Sequence, residues 1–156
     1  MTEPAAGVIA EPSQRLVARL VDTLIVGVPV ATVAAELFPR TTAQTVVAPI
    51  GFAVVFLVYE AVQLGLWGRT VGKRLTGLAV VSADGEPLRP GRALGRAAIY
   101  ALPAAARPVP VLNVFAAIFW LADVGLLFEG ERRQTLHDRV AGTLVIDIRS
   151  PVSEQP

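Results

Sequence analysis

Four apolar stretches dominate the pattern of hydrophobic and polar positions along the chain; they cover residues 20–38, 46–67, 93–106 and 109–128. Three of them approach the roughly 20 residues that a helix needs to cross the hydrocarbon core of a bilayer. The stretch 93–106 is short for a full crossing. A half-crossing and a helix lying at the membrane interface are therefore alternatives for it. Arg107 and Pro108 interrupt the helical pattern, so the last two stretches are expected to form a hairpin. The pattern predicts an α-helical membrane protein, a bundle of three to four hydrophobic helical segments.

Two polar-flanked stretches favour strands instead. Residues 78–82 (LAVVS) are rich in β-branched side chains and precede Asp84-Gly85, a preferred hairpin turn. Pro87 and Pro90 lack backbone donors, so the return strand is expected to be a short edge. Residues 143–148 (TLVIDI) alternate in the same way, and a small cytoplasmic sheet pairing them with 78–82 is predicted. Residues 1–14 and 150–156 are expected to be disordered tails around one domain, 15–149.

Composition supports the membrane reading and removes several kinds of chemistry. Apolar residues make up 53% of the chain and charged residues 17%, against roughly 25% charged in an ordinary soluble domain. The net charge of +1 gives no basic field for nucleic acid. Cysteine is absent and His137 is the single histidine, so neither a cysteine nor a multi-histidine metal site is expected. No cofactor is predicted, and no nucleophile and base suggest an enzyme.

Basic residues between the apolar stretches predict the orientation in the membrane. If all four stretches enter and return in alternation, twelve of the fourteen Lys and Arg residues fall on one side, with Arg40 and Arg107 as exceptions. Basic loops face the cytoplasm in multi-pass proteins. We therefore expect a multi-pass protein of the cell (cytoplasmic) membrane, with both termini and the loop 68–92 cytoplasmic.

Three acids interrupt the apolar stretches: Asp22, Glu60 and Asp123. Each lies five to seven residues from the predicted cytoplasmic end of its stretch, roughly 8–10 Å deep at the helical rise. Because an isolated carboxylate in lipid costs several kcal/mol, a shared polar cluster inside the bundle is predicted, with Arg15, Arg19 or Arg96 supplying the counter-charge. Two roles remain open at this point, a titratable ion or proton site and a static polar lock. For Asp22, the static role would be pairing with Arg19 one helical turn back.

A third group of polar residues, RQTLHDRVAGT (133–143), follows the last apolar stretch. His137 and Asp138 are candidates for a proton-handling pair. The alternative, which we favour, is a capped interfacial turn with Thr135 or Asp138 as the cap.

Three strings together resemble the RDD family of small membrane proteins: RLVARLVD (15–22), GRTVGKRLTGLAVVSADG (68–85) and RQTLHDRVAGTLV (133–145). The family is named for one arginine and two aspartates, which the resemblance assigns to Arg15, Asp22 and Asp138, with Asp123 as the less favoured match for the last. Arg69 departs from the glutamine common in the family. The remaining positions that carry the resemblance are Gly72, Lys73, Gln134, His137, Gly142 and Thr143.

Some family members are similar to monovalent cation/proton antiporters, so the resemblance implies a transporter or transporter component exchanging protons for a cation such as sodium. Four short segments can barely enclose a pathway, so a homo-oligomer or another membrane protein would be needed as a partner within the lipid bilayer. The alternative is a non-transporting adaptor or scaffold that docks or stabilises partner proteins.

Overall fold

The structure, a computed structural model, describes residues 8–84 and 88–149. Its strands are β1 (Val8–Ile9), β2 (Leu78–Ser82) and β3 (Thr143–Asp147). Its helices, in chain order, are α1 (Pro12–Leu37), α2 (Arg40–Thr42), α3 (Ala48–Trp67), α4 (Val71–Thr76), α5 (Pro90–Ala106), α6 (Pro110–Gly125) and α7 (Leu136–Ala141). A π-helical segment, Ala43–Val47, joins α2 to α3, and a 3-10 turn, Leu126–Phe128, extends α6.

Three helical segments are long and apolar enough to cross a bilayer: Pro12–Leu37, Arg40–Trp67 and Pro110–Phe128. They match the first, second and fourth apolar stretches of the sequence. The short third stretch forms α5, which packs most extensively on α3 and also contacts α6 and α7. The first helix begins earlier than its apolar stretch, because Pro12 suits the first helical turn.

The bundle is apolar outside and polar inside. Only about a fifth of each candidate span is buried, and large side chains such as Leu24, Val58 and Leu121 are more than half exposed. In contrast, the largest fully buried side chains include Arg96, Glu60, Asp22 and Asp138. In water this arrangement would be unfavourable, whereas in lipid the outer surface meets a matching solvent. The chain is therefore a membrane protein.

One three-stranded antiparallel sheet closes one end of the bundle, in the order β1-β3-β2. The predicted pairing of 78–82 with 143–148 is confirmed, with Val80 opposite Val145 in the centre. Both side chains are buried in an apolar cluster that also contains Ala18 and Leu64. Because the strands precede α1, follow α4 and follow α7, the sheet brings the start of α1, the region after α3 and the region after α6 to the same end.

Two boundaries differ from the sequence expectation. The predicted return strand after Asp84 does not include Pro90, because Pro90 begins α5. Gly85–Pro87 lie outside the described residues. The strand that pairs with β2 is β3. The expected N-terminal tail reached residue 14, yet Val8–Ile9 form β1 against β3. Two β-branched residues suffice here because β3 offers them an unpaired edge. Residues 1–7 and the tail 150–156 lie outside the described residues.

Candidate functional site: a buried network of ion pairs

Nine charged or titratable side chains from six helices meet between the bundle and the sheet. Helix α1 contributes three, α7 contributes two, and α3, α4, α5 and α6 contribute one each. They are Arg15, Arg19, Asp22, Glu60, Lys73, Arg96, Asp123, His137 and Asp138. All nine are named in the sequence analysis, Arg96 only as one possible counter-charge.

Asp22 is held by donors from α3 and from the segment that follows it. Its carboxylate accepts hydrogen bonds from Tyr59 Oη (2.7 Å), Thr70 Oγ1 (2.6 Å) and the Gly72 backbone N–H (2.8 Å). Lys73 Nζ lies 4.0 Å from the same carboxylate. These contacts fix α4 against α1, and Asp22 is fully buried.

Glu60 is the centre of the network. Its carboxylate accepts from Arg19 Nη1 at 3.0 Å and Nη2 at 3.3 Å, and from Arg96. Lys73 Nζ lies 3.5 Å from Glu60 Oε1. The static alternative that paired Arg19 with Asp22 is therefore not what forms, because the long side chain of Arg19 reaches across to Glu60 on α3. Its guanidinium also stacks over Tyr100 of α5, at 3.8 Å.

Asp138 joins α7 to α1 and α5. Arg15 and Arg96 Nε (3.0 Å) both donate to it, as does Thr143 Oγ1 (3.2 Å). Burial raises the pKa of Asp138, but the charges of Arg96 and Arg15 outweigh burial and hold that pKa well below its usual range. Thr135 is the N-cap of α7 and donates to the same carboxylate, so the capped turn expected from the sequence does form.

Asp123 pairs with His137 rather than with an arginine. His137 Nδ1 lies 2.9 Å from Asp123 Oδ1, and Arg19 Nη2 lies 3.5 Å from His137 Nε2. A neutral ring with its proton on Nδ1 satisfies both contacts. Burial lowers the pKa of His137, which also favours the neutral ring.

The network balances its charges. With His137 neutral, four cations (Arg15, Arg19, Lys73 and Arg96) face four carboxylates (Asp22, Glu60, Asp123 and Asp138). Among the described residues, no buried side-chain nitrogen or oxygen lacks a hydrogen-bond partner. Such saturation is what makes buried ions tolerable.

Lys73 differs from the other three cations because it can lose its proton. It is the only lysine of the chain, and a guanidinium stays protonated in proteins. Burial lowers the pKa of Lys73 to about 8, even though Glu60 opposes that shift. The network thus contains one cation whose charge changes near physiological pH.

A cavity of about 80 Å³ adjoins the network, between α1 and α6. Its charged lining consists of Arg15, Arg19, Lys73, Arg96, His137 and Asp123. The other three carboxylates, Asp22, Glu60 and Asp138, are fully buried and do not line it.

The other positions that carry the resemblance support the same site. Gly72 lies so close to α1 that an added Cβ would sit 2.1 Å from the Ala18 carbonyl oxygen, which explains why a glycine stands beside Lys73. Gln134 Nε2 donates to the Thr143 carbonyl (2.9 Å), and Gly142 ends α7 with a positive φ of 62°.

Sequence reasoning named Arg96 only as a possible counter-charge and did not identify Tyr59 or Thr70. A charged residue within an apolar helix was the available signal for Arg96. No comparable signal marks Tyr59 and Thr70, because their role depends on how α3 and α4 meet α1.

Among the described residues there is no group of three or more His, Cys, Asp or Glu side chains that could hold a metal ion.

Comparison of the sequence with known proteins identifies its family. The search of curated proteins and the search of solved structures returned no match. The model of the RDD family matches residues 9–142, which include α1 to α7 and all nine residues of the ion-pair network. The chain therefore belongs to the RDD family.

Proposed function

We propose that this membrane protein exchanges protons for a monovalent cation such as sodium, as a transporter or as a component of one, and that it is not an enzyme. The observation that carries the proposal is the position of the Lys73 ammonium between two carboxylates, 4.0 Å from Asp22 and 3.5 Å from Glu60. The ammonium occupies the place that a transported cation would take. The cation and the proton on Lys73 therefore compete for one site.

Charge balance favours a one-for-one exchange. When Lys73 releases its proton, the balanced network is left with one excess negative charge, which is costly in a buried site. A monovalent cation between Asp22 and Glu60 restores the balance, and the Thr70 hydroxyl, 2.6 Å from Asp22, offers a further oxygen. Carboxylate and hydroxyl oxygens suit hard cations. The lowered pKa of Lys73, about 8, supports proton release near physiological pH.

We further propose that the protein lies in the cell membrane with the sheet on the cytoplasmic side. Twelve of the fourteen basic residues belong to the segments at the sheet end, whereas Arg40 and Arg107 lie at the opposite ends of their helices. That distribution follows the bias for basic cytoplasmic loops. Both termini and the loop 68–92 are then cytoplasmic, and α5 and α6 form a hairpin entering from that side.

The experiment is ion flux in proteoliposomes that contain only this chain. Imposing an inward sodium gradient at about pH 8, where Lys73 is partly deprotonated, is expected to drive proton efflux that alkalises the lumen. Replacing sodium by choline, which the narrow site excludes, is the matched control, and protein-free liposomes give the leak. A homo-oligomer in the reconstituted sample is expected, because three spans enclose little space by themselves.

The second candidate is a non-transporting adaptor. The complete saturation of buried polar groups among the described residues favours it, because a static lock needs no exchangeable site. Folded protein that gives no sodium-driven proton flux would overturn the exchange proposal and favour the adaptor, whose partner would then be found by crosslinking in the native membrane.

A further inference from the structure

We propose that the cavity between α1 and α6 binds a phosphate-bearing anion through Arg15, Arg19 and Arg96. This inference concerns the cavity side of the same network, whose lining includes Lys73 but neither Asp22 nor Glu60, and it does not depend on cation exchange. Nothing in the activity proposed above requires an anion.

The donors of the three arginines point to an anion. Arg15 and Arg19 each form their protein hydrogen bonds through Nη1 and Nη2, and Arg96 uses Nε and Nη1. Within the described part of the chain, Nε of Arg15, Nε of Arg19 and Nη2 of Arg96 form no hydrogen bond. No buried side-chain nitrogen there lacks a partner, so these three nitrogens are accessible ones, and all three residues line the cavity. Guanidinium N–H groups are strong donors to phosphate oxygens.

The cavity presents these cations without their carboxylates. Asp22, Glu60 and Asp138 do not line it, and the single acid in the lining, Asp123, is paired with His137 at 2.9 Å. Each arginine is already paired with Glu60 or Asp138, so an entering anion gains the unused N–H donors rather than an unpaired positive charge. The cation–π contact of Arg19 with Tyr100, at 3.8 Å, holds its guanidinium in place before any ligand arrives.

The size and position of the cavity fit a head group. Its volume of about 80 Å³ admits a small oxyanion but no whole lipid. Two apolar residues of its lining are partly exposed, Leu16 near the start of α1 and Val124 near the end of α6. Each is four residues from the end of its candidate span, about 6 Å along the helix, where lipid phosphates are found. Basic pockets between transmembrane helices hold anionic head groups in this way.

The test compares ligands and variants of the full chain purified in detergent. Thermal unfolding is followed while inorganic phosphate or short-chain phosphatidylglycerol is added, with chloride and phosphatidylcholine as controls at equal ionic strength. A ligand that binds only the folded state raises the unfolding temperature. Phosphatidylcholine carries a phosphate but no net charge, so it separates anion binding from general lipid effects.

Three variants locate the site. Arg19→Gln removes a donor and should weaken binding about tenfold or more. Val124→Phe puts a larger side chain into the cavity lining while keeping every charge, and should have the same effect even if Arg19→Gln fails to fold. Arg139→Gln removes an equal charge from an exposed side chain outside the cavity and should bind as the original chain does.

Each outcome decides the proposal. Stabilisation by phosphatidylglycerol alone identifies a lipid head group, and stabilisation by inorganic phosphate as well identifies a free anion as sufficient; both support the site. Absence of stabilisation by either ligand overturns it, as does equal binding by Val124→Phe and Arg139→Gln. Sodium-driven flux in the original chain is measured separately, so failure of this inference leaves the exchange proposal standing.

Discussion

At the scale of single residues, the lowered pKa of Lys73 predicts how the stability of the protein depends on pH. Its pKa is about 8 in the folded chain against 10.5 for an unperturbed lysine. Between those values the unfolded chain binds more protons than the folded one, so the free energy of unfolding should rise as the pH increases from 8 to 10.5. Thermal unfolding in detergent across that range measures the rise.

Lys73→Met is the matched variant, because it keeps most of the side-chain volume and cannot titrate. Its unfolding temperature should lack the increase seen in the original chain. An identical pH profile in the two proteins would mean that another group, such as a tyrosine, causes the rise, and the lowered pKa of Lys73 would be wrong.

The residue scale also shows why one sequence expectation about Asp22 has to change. Judged from the sequence alone, Asp22→Asn separates the two roles of the cluster: the protein stays folded, and ion exchange is lost if the cluster transports but any activity is kept if it is a static lock. In the structure, three donors converge on this carboxylate, from Tyr59, Thr70 and the Gly72 backbone. An asparagine NH₂ can only donate, so the hydroxyl that it faces must reverse its hydrogen bond, and the negative charge 4.0 Å from Lys73 Nζ is lost. Asp22→Asn should therefore perturb folding, which makes Lys73 the better probe.

At the scale of elements, the close approach of α4 to α1 depends on Gly72. Alanine there would place Cβ 2.1 Å from the Ala18 carbonyl oxygen and 2.9 Å from the Asp22 carboxylate. Backbone must move to relieve that contact, so Gly72→Ala should destabilise the protein by about 1–3 kcal/mol. Gly95→Ala in α5 meets nothing within 4 Å and should be neutral or slightly stabilising. Equal unfolding temperatures for the two variants would contradict the α1–α4 packing.

Elements were predictable from the sequence wherever local pattern decides them. The apolar stretches gave the helices α1, α3, α5 and α6 to within a few residues at most ends, and alternation gave β2 and β3. The strand β1 was missed because Val8-Ile9 is too short to carry a pattern and forms only against β3. Three acids of the network were predictable, because a carboxylate stands out within an apolar helix. Their partners were not, since the pairing of Arg19 with Glu60 spans 41 positions of the chain.

At the scale of the whole molecule, the sheet makes the proposed topology testable. The chain has no cysteine, so single cysteines can be introduced for labelling in intact cells. Ser82 is buried and unsuitable, whereas Asp84 and Glu129 are exposed at the sheet end. Asp84→Cys and Glu129→Cys should react only after the membrane is permeabilised. Thr41→Cys, exposed beside Arg40 at the opposite end, should react from outside. Labelling of Asp84→Cys and Glu129→Cys from opposite sides would overturn the topology.

The central claim is that the proton exchanged for a cation is the one on Lys73. Lys73→Arg keeps the positive charge between Asp22 and Glu60 but cannot release a proton. The neighbouring Arg74→Lys makes the reverse change on an exposed position of the same helix. We expect sodium-driven proton flux in proteoliposomes to disappear in Lys73→Arg and to persist in Arg74→Lys, with both variants folded by thermal unfolding. Undiminished flux in folded Lys73→Arg would contradict the account.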